Sequence, residues 1–256
     1  MTIIGIDVSH WNGVVDWKKV AASGVNFVFL KASEGTTYVD KTFKTNAANA
    51  LANGIRVGAY HYAKFGNVAE AKAEAQHFLR TVSGVKITYP LVLDLEENKK
   101  KASKAVLTDA AVAFLNAIEK AGYFAMIYSG KSFLETQLDE KRLKPYALWI
   151  ARYNSYLGRD AGIWQYTDKG KVNGISGNVD MNLAYVDYAA LIDKKGTTAP
   201  TPPKEEKKLM KTEDANKIIR VLQDRWNAST CQDEKKEMGR LADEVRVAAG
   251  MKKVNS

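Results

Sequence analysis

Two apolar patterns alternate along the chain. Short runs rich in branched and aromatic side chains recur at 3–8, 27–31, 56–62, 91–96, 124–128, 148–151, 162–165 and 179–182. Their length, with turn residues around them, predicts buried strands. Between the first five lie longer stretches with helical spacing and recognisable ends. Asp16 opens a segment that closes on Gly24, and Asp40 precedes one closing on Gly54. Asn67 leads to Ser83-Gly84, and Thr108 leads to Gly122. A polar cap supplies an acceptor for free amides, and glycine tolerates the left-handed turn that ends a helix.

Repeated β-α units predict parallel strands with crossover helices on one face. Eight strands within 195 residues predict an α/β fold, a modified (β/α) barrel whose later strands lack full helices. A doubly wound open sheet is the second choice. In both, ligands bind at the carboxyl ends of the strands.

The composition breaks at 196–203, where three of the five prolines sit among threonines. The expected division is a main domain at 1–195, a Pro/Thr-rich linker at 196–206 and a helical C-terminal module at 207–256. In the last part, 212–226 and 232–249 fit amphipathic helices. One carries Ile218, Ile219, Leu222 and Trp226 on a stripe, the other Met238, Leu241, Val245 and Ala248, and 227–230 forms the turn.

Polar residues collect at the same end of nearly every strand. Asp7 follows IIGI, Lys31 and Glu34 follow FVFL, and Tyr60, His61 and Tyr62 close RVGA. Asp94 and Glu96 close PLVL, Tyr128 closes FAMI, Arg152 and Tyr153 follow LWIA, and Gln165 follows IW. Asp180 and Asn182 lie in the last strand. This predicts a pocket lined with acids and aromatics. Residues i and i+2 of a strand share a face, which places the Cα atoms of Asp94 and Glu96 about 6.6 Å apart. Neighbouring carboxylates disfavour double ionisation, so the pKa of one should rise. A protonated carboxylic acid is what a glycosidase needs to protonate its leaving oxygen. Glu97, pointing the other way, is expected to be solvated. The fuller chitinase pattern D-x-x-D-x-D-x-E fails, because Tyr89 and Val92 stand where acids are required.

Composition narrows the partners. The net charge is +9, which favours polyanions, yet no zinc-finger spacing or aromatic RNA-binding motif points to nucleic acid. Cys231 is the single cysteine, so no intramolecular disulfide forms. No run is long enough for membrane insertion, and MTIIGIDVSHWNG lacks the basic and apolar regions of a signal peptide. His10 and His61 have no metal-ligand spacing around them, and no metal or cofactor is expected. Trp17, Trp149 and Trp164 read as packing residues, and His77 as a helix surface or packing residue.

The stretches GIDVSHWNG, FLKASEGTTYVD, GAYHYA, PLVLDLE, LWIARYN, IWQYT and VDMN, in that order over 1–190, resemble glycoside hydrolase family 25, the Chalaropsis-type lysozymes that include many phage endolysins. The resemblance implies hydrolysis of the β-1,4 bond between N-acetylmuramic acid and N-acetylglucosamine in peptidoglycan. It implies Glu96 as general acid, Asp94 as its neighbouring carboxylate, and Asp7 and Asp180 as acids flanking the pocket floor. Tyr62 and Tyr128 are implied as sugar contacts. Tyr60, Gln165, Glu34 and Trp11, near the first strand, complete the expected substrate-binding set. The D-x-E spacing suggests a substrate-assisted retaining route.

The competing expectations are a metal-dependent phosphodiesterase using Asp7, Asp94, Glu96 and Asp180 as ligands, and a non-catalytic glycan-binding protein. By domain analogy, residues 207–256 are expected to bind the wall, an anionic wall polymer included, or to self-associate. The endolysin resemblance implies synthesis in a host cytoplasm, release through a holin-type lesion and a Gram-positive wall as target.

Overall fold

The computed structural model describes residues 2–195, 212–252 and 254. The chain divides into two compact units, 1–201 and 202–256. The stretch 196–206, read as a linker, lies outside the described residues, as do residues 207–211.

The larger unit contains nine strands: β1 (Ile3–Val8), β2 (Phe27–Glu34), β3 (Tyr38–Val39), β4 (Arg56–Tyr62), β5 (Leu91–Asp94), β6 (Ala125–Gly130), β7 (Ala147–Ala151), β8 (Ile163–Gly170) and β9 (Val179–Ala184). Their order is β1-β9-β8-β7-β6-β5-β4-β2, with β3 appended to β2. Pairing of β1 with β2 closes eight of them into a barrel and rules out the open sheet. Seven barrel strands are mutually parallel. The eighth, β9, runs antiparallel to both β1 and β8, a reversal that apolar run lengths do not signal.

Helices α1 (Trp17–Ala22), α2 (Phe43–Ala52), α3 (Val68–Val82), α4 (Lys104–Lys120), α5 (Lys131–Gln137) and α6 (Glu140–Leu143) follow the earlier strands, and α7 (Tyr188–Lys195) follows β9. Among the described residues no helix joins β7 to β8 or β8 to β9, so the ring is incomplete on that side. Two helices begin elsewhere than expected. Ser103 caps α4, its Oγ accepting from Val106 N, while Thr108 is buried inside the helix and donates to Lys104 O. Thr42 precedes α2, and Asp40 accepts from the Thr42 amide and hydroxyl.

Two cores follow from period-two alternation in the strands. Outward-facing residues such as Ile6, Val28, Leu30, Leu91 and Leu93 pack against the helices. Inward-facing residues make a second core inside the barrel, with Phe27 stacked on Tyr89 (centroids 4.6 Å) and Phe29 on Trp149 (4.5 Å). Gly5 and Gly58 make room for them. A Cβ on Gly5 would lie 2.2 Å from the Phe27 ring, and one on Gly58 2.6 Å from Phe29. The aromatic plug fills the amino-terminal half of the lumen, so inward positions nearer the carboxyl ends surround an open space.

Outside the barrel, buried His61 links β4 to β2 and α3. Its Nδ1 is 2.8 Å from Ser33 Oγ and its Nε2 3.0 Å from Glu74 Oε2. His77 is buried too, with Nε2 2.9 Å from Tyr38 O. Trp17 and Trp164 are buried and hydrogen-bonded, to Asn46 Oδ1 and Arg152 O.

The smaller unit is a hairpin of α8 (Thr212–Ala228) and α9 (Gln232–Ala248). Ala215, Ile219 and Ala242 are buried, whereas Ile218 and Trp226 remain exposed. Lys235 Nζ stands 4.6 Å from the centre of the Trp226 ring.

Candidate active site

The open half of the lumen forms a cavity of about 390 Å³. Asp7, Asp94, Glu96 and Asp180 line it, together with Tyr60, Tyr62, Tyr128 and Gln165. All eight were expected from sequence. Lys31, Trp149, Tyr153 and Asp168 complete the lining. Trp149 does two jobs, since its ring belongs to the plug and its edge reaches the cavity. Asp168 lies on the extension of β8 beyond the predicted strand, where no sequence pattern marked it.

Strand register explains the convergence. Asp94 is paired with Tyr62 on one side and with Tyr128 on the other. Tyr128 is paired with Trp149, and Gln165 with Asn182. Asp7 stands opposite Asp180. Because β9 runs backwards, its polar end is its beginning, and Asp180 reaches the same rim that the other strands reach at their ends.

The β5 ladder stops at Asp94, two residues short of the sequence expectation. Leu95 N still donates to Tyr128 O at 3.0 Å, but Glu96 lies beyond the ladder. The two acids therefore sit at different depths. Asp94 is buried, and its Oδ1 has no hydrogen-bond partner. Glu96 stands exposed at the mouth. Burial, then the charges of Glu96 and Asp7, hold the Asp94 carboxyl well above the usual carboxylate range against the pull of Lys31. Partial desolvation and the charge of Glu97 raise Glu96 as well, again opposed by Lys31. Glu97 is not a freely solvated residue. It is half-buried and pairs with Lys99 at 2.7 Å, and its charge, after burial and the charge of Glu96, helps to push the Tyr62 hydroxyl up.

At the floor, Asp7 Oδ2 accepts from Asn182 Nδ2 at 2.9 Å and Gln165 Nε2 at 3.0 Å. Burial and the charge of Asp180 push Asp7 well above its ordinary value, and Asp180 is raised by its own desolvation. Trp149 Nε1 donates to Asn182 Oδ1 at 2.8 Å. Gln165 Oε1 accepts from the hydroxyls of both Tyr128 and Tyr153 at 2.9 Å.

Two expected site residues lie outside the lining. Glu34 is held by Lys31 at 2.7 Å and by Lys64. Partial burial works to raise its carboxyl, but the bonds and charges of these two lysines outweigh it and leave Glu34 below the usual range. Trp11 sits on the turn after β1, 84% exposed, with its ring 4.5 Å from that of His10. His10 Nδ1 contacts Asp40 Oδ2 at 2.8 Å and Tyr38 Oη at 3.1 Å. Among the described residues no group of three or more His, Cys, Asp or Glu side chains is arranged to hold a metal ion.

The chain has counterparts among known proteins. Residues 6–175 match the model of glycosyl hydrolases family 25. Lysozyme M1 of Streptomyces globisporus is 34% identical over 215 residues, covering 76% of this chain and 72% of its own. The crystal structure of the CTP1L endolysin superposes with a TM-score of 0.66 at 37% identity, covering 76% of this chain and 70% of that one. A family 25 glycosyl hydrolase from Bacillus anthracis superposes with a TM-score of 0.67 at 27% identity, covering 75% and 92%. With its barrel, its cluster of acids and a family match across most of its length, the chain belongs to glycosyl hydrolase family 25.

Proposed function

We propose that the protein is an endolysin-type muramidase that cleaves the β-1,4 bond between N-acetylmuramic acid and N-acetylglucosamine in peptidoglycan, with Glu96 as general acid. The observation that carries this reading is the stepped pair of acids. Asp94 lines the cavity but is buried, with one carboxyl oxygen lacking a hydrogen-bond partner, while Glu96 stands at the mouth with its carboxyl raised above its ordinary value. The lysozyme and endolysin relatives support the choice of substrate.

In the route that fits this pair, Glu96 gives its proton to the glycosidic oxygen as the bond from C1 breaks. The acetamido oxygen of the same sugar closes on C1, and Asp94 holds the amide N–H, polarising the group. Water then attacks C1, the acetamido ring opens, and a proton returns to Glu96. The configuration at C1 is retained. Glycosidases with direct-displacement or inverting mechanisms place their carboxyls about 5–5.5 or 6.5–9.5 Å apart across the sugar, whereas here the second acid lies deeper, two residues back along the same segment.

Digestion of purified Gram-positive walls, followed by borohydride reduction, tests the bond assignment. New muramitol ends, absent with Glu96→Gln, are the expected result. Glucosaminitol ends would move the cleavage to the other linkage. NMR of early products tests the route, since an inverted anomer excludes acetamido participation. Loss of activity on chelation would instead favour the phosphodiesterase reading.

We further propose that residues 207–256 hold the enzyme on the wall. Exposed Trp226 with Lys235 over its ring, and a cavity of about 240 Å³ between α8 and α9 lined by Ile219, Leu222, Trp226, Met238 and Arg246, suit a wall glycopolymer. No helix among the described residues is long and apolar enough to cross a membrane. Release through a holin-type lesion fits the endolysin reading.

A further inference from the structure

Gln165 was expected to touch substrate, yet it is only 2% exposed and its polar atoms face protein groups. Two tyrosine hydroxyls, from β6 and from the loop after β7, converge on its single carbonyl oxygen, and its amide nitrogen reaches Asp7. The orientation of this network is fixed from one end. An indole N–H can only donate, so Trp149 sets Asn182 with its oxygen toward the ring and its nitrogen toward Asp7. Asp7 Oδ2 thus receives two N–H groups, and Gln165 must turn its oxygen toward the tyrosines.

We propose that Gln165 is a positioning residue that draws the hydroxyl hydrogens of Tyr128 and Tyr153 away from the cavity, so that both phenol oxygens meet the glycan as acceptors. This inference rests on the glycan-hydrolase reading of the site. A hydroxyl whose hydrogen is committed has only lone pairs to offer. The groups it selects on the sugar are donors, hydroxyl O–H or acetamido N–H. Tyr153 is suited to the role because the residue is 55% exposed and lines the cavity while its hydroxyl is tied to Gln165.

The test is a double-mutant cycle on kcat/KM for wall digestion, with Gln165→Met and the Tyr128→Phe/Tyr153→Phe pair. Gln165→Met alone is expected to lower kcat/KM about 20-fold or more. In the Phe/Phe background the same change is expected to cost less than about threefold, because interacting groups are non-additive. Equal costs in both backgrounds would overturn the proposal. A second variant covers the case in which Gln165→Met fails to fold. Gln165→Glu keeps the acceptor for the tyrosines and loses the donor to Asp7, so its kcat/KM is expected to fall between those of wild type and the Phe/Phe pair. Activity at or below the Phe/Phe level, with an unchanged melting temperature, would mean that the bond to Asp7 matters and the tyrosine hydrogens do not. If the wild type releases no reducing ends from any wall, the hydrolase reading fails first and the cycle is not the cause.

Discussion

Asp7 of β1 and Asp180 of β9 stand directly opposite each other across an antiparallel ladder, and the charge of Asp180 adds to burial in raising the Asp7 carboxyl. Asp7 is the more deeply buried of the two, and its Oδ2 is committed to Asn182 and Gln165. Asp7→Ala would strand both amide donors in a buried setting. The expected cost is about 2–4 kcal/mol, measured as a lower urea midpoint with an unchanged slope.

Asp94 gives a prediction with a definite sign. Its folded-state carboxyl is raised above the ordinary value of 3.8, so the native state binds more protons than the unfolded chain. Stability is therefore full below about pH 4 and falls as pH climbs from there through the raised folded value. Asp94→Asn removes this dependence. The variant is expected to be inactive and, at pH 7, more stable than wild type by about 1–3 kcal/mol. Denaturation at several pH values checks both the gain and its growth with pH.

The neighbours of Glu96 should move the alkaline limb of activity in opposite directions. Glu97 raises the Glu96 carboxyl and Lys31 lowers it. If Glu96 works protonated, Glu97→Gln shifts the limb to lower pH and Lys31→Met to higher pH. A pH profile of kcat/KM reads both, and shifts in the same direction would remove Glu96 from the acid role.

Gly58→Ala is expected to destabilise the barrel by about 3 kcal/mol or more, at or beyond the upper end of overpacking costs. Its Cβ would meet Phe29 and the Pro90 carbonyl at 2.6 Å, and a backbone atom does not yield as a side chain does. A thermal melt settles it, and an unchanged midpoint would mean that Phe29 can repack.

Removing everything after Lys195 separates the proposed wall attachment from chemistry. The shortened chain should cleave soluble glycan fragments at the wild-type rate. Its retention on sedimented walls should fall about tenfold or more, the effect of losing one of two linked attachments.

Much of the site was legible in the sequence because barrel strands all point their polar ends to one rim. Asp7, Asp94, Tyr128 and Gln165 could each be placed there from an apolar run and its last residues. What period-two spacing could not show was depth. Asp94 and Glu96 share a side of the chain, but the ladder ends between them, and burial separates their environments. Nor could it show partnership. Glu34 has the right position and is claimed by two lysines, and Gln165 has the right position and is turned wholly toward protein. Asp168 was missed because the β8–β9 hairpin extends past its apolar core, and the reversed direction of β9 is set by that hairpin rather than by composition.

That hairpin carries no cavity acid on its connecting segment, residues 171–178, yet it decides which β9 residue faces Asp7. The segment is fastened down by Asp16 N to Gly174 O at 2.9 Å and Asn12 Nδ2 to Asn178 O at 3.3 Å. Register shifts between Gln165 and Thr167, and again before Gly170, take up the remaining offset. A net gain or loss of one residue that those shifts failed to absorb would rotate every side chain of β9 to the other face. Asp180 would leave the rim, and Met181 after a loss, or Val179 after a gain, would take its place. The length of this segment is therefore a constraint in its own right, beside the identity of Gly174, whose φ of +100° and close approach to Asp16 O leave no room for a Cβ, and of buried Val172.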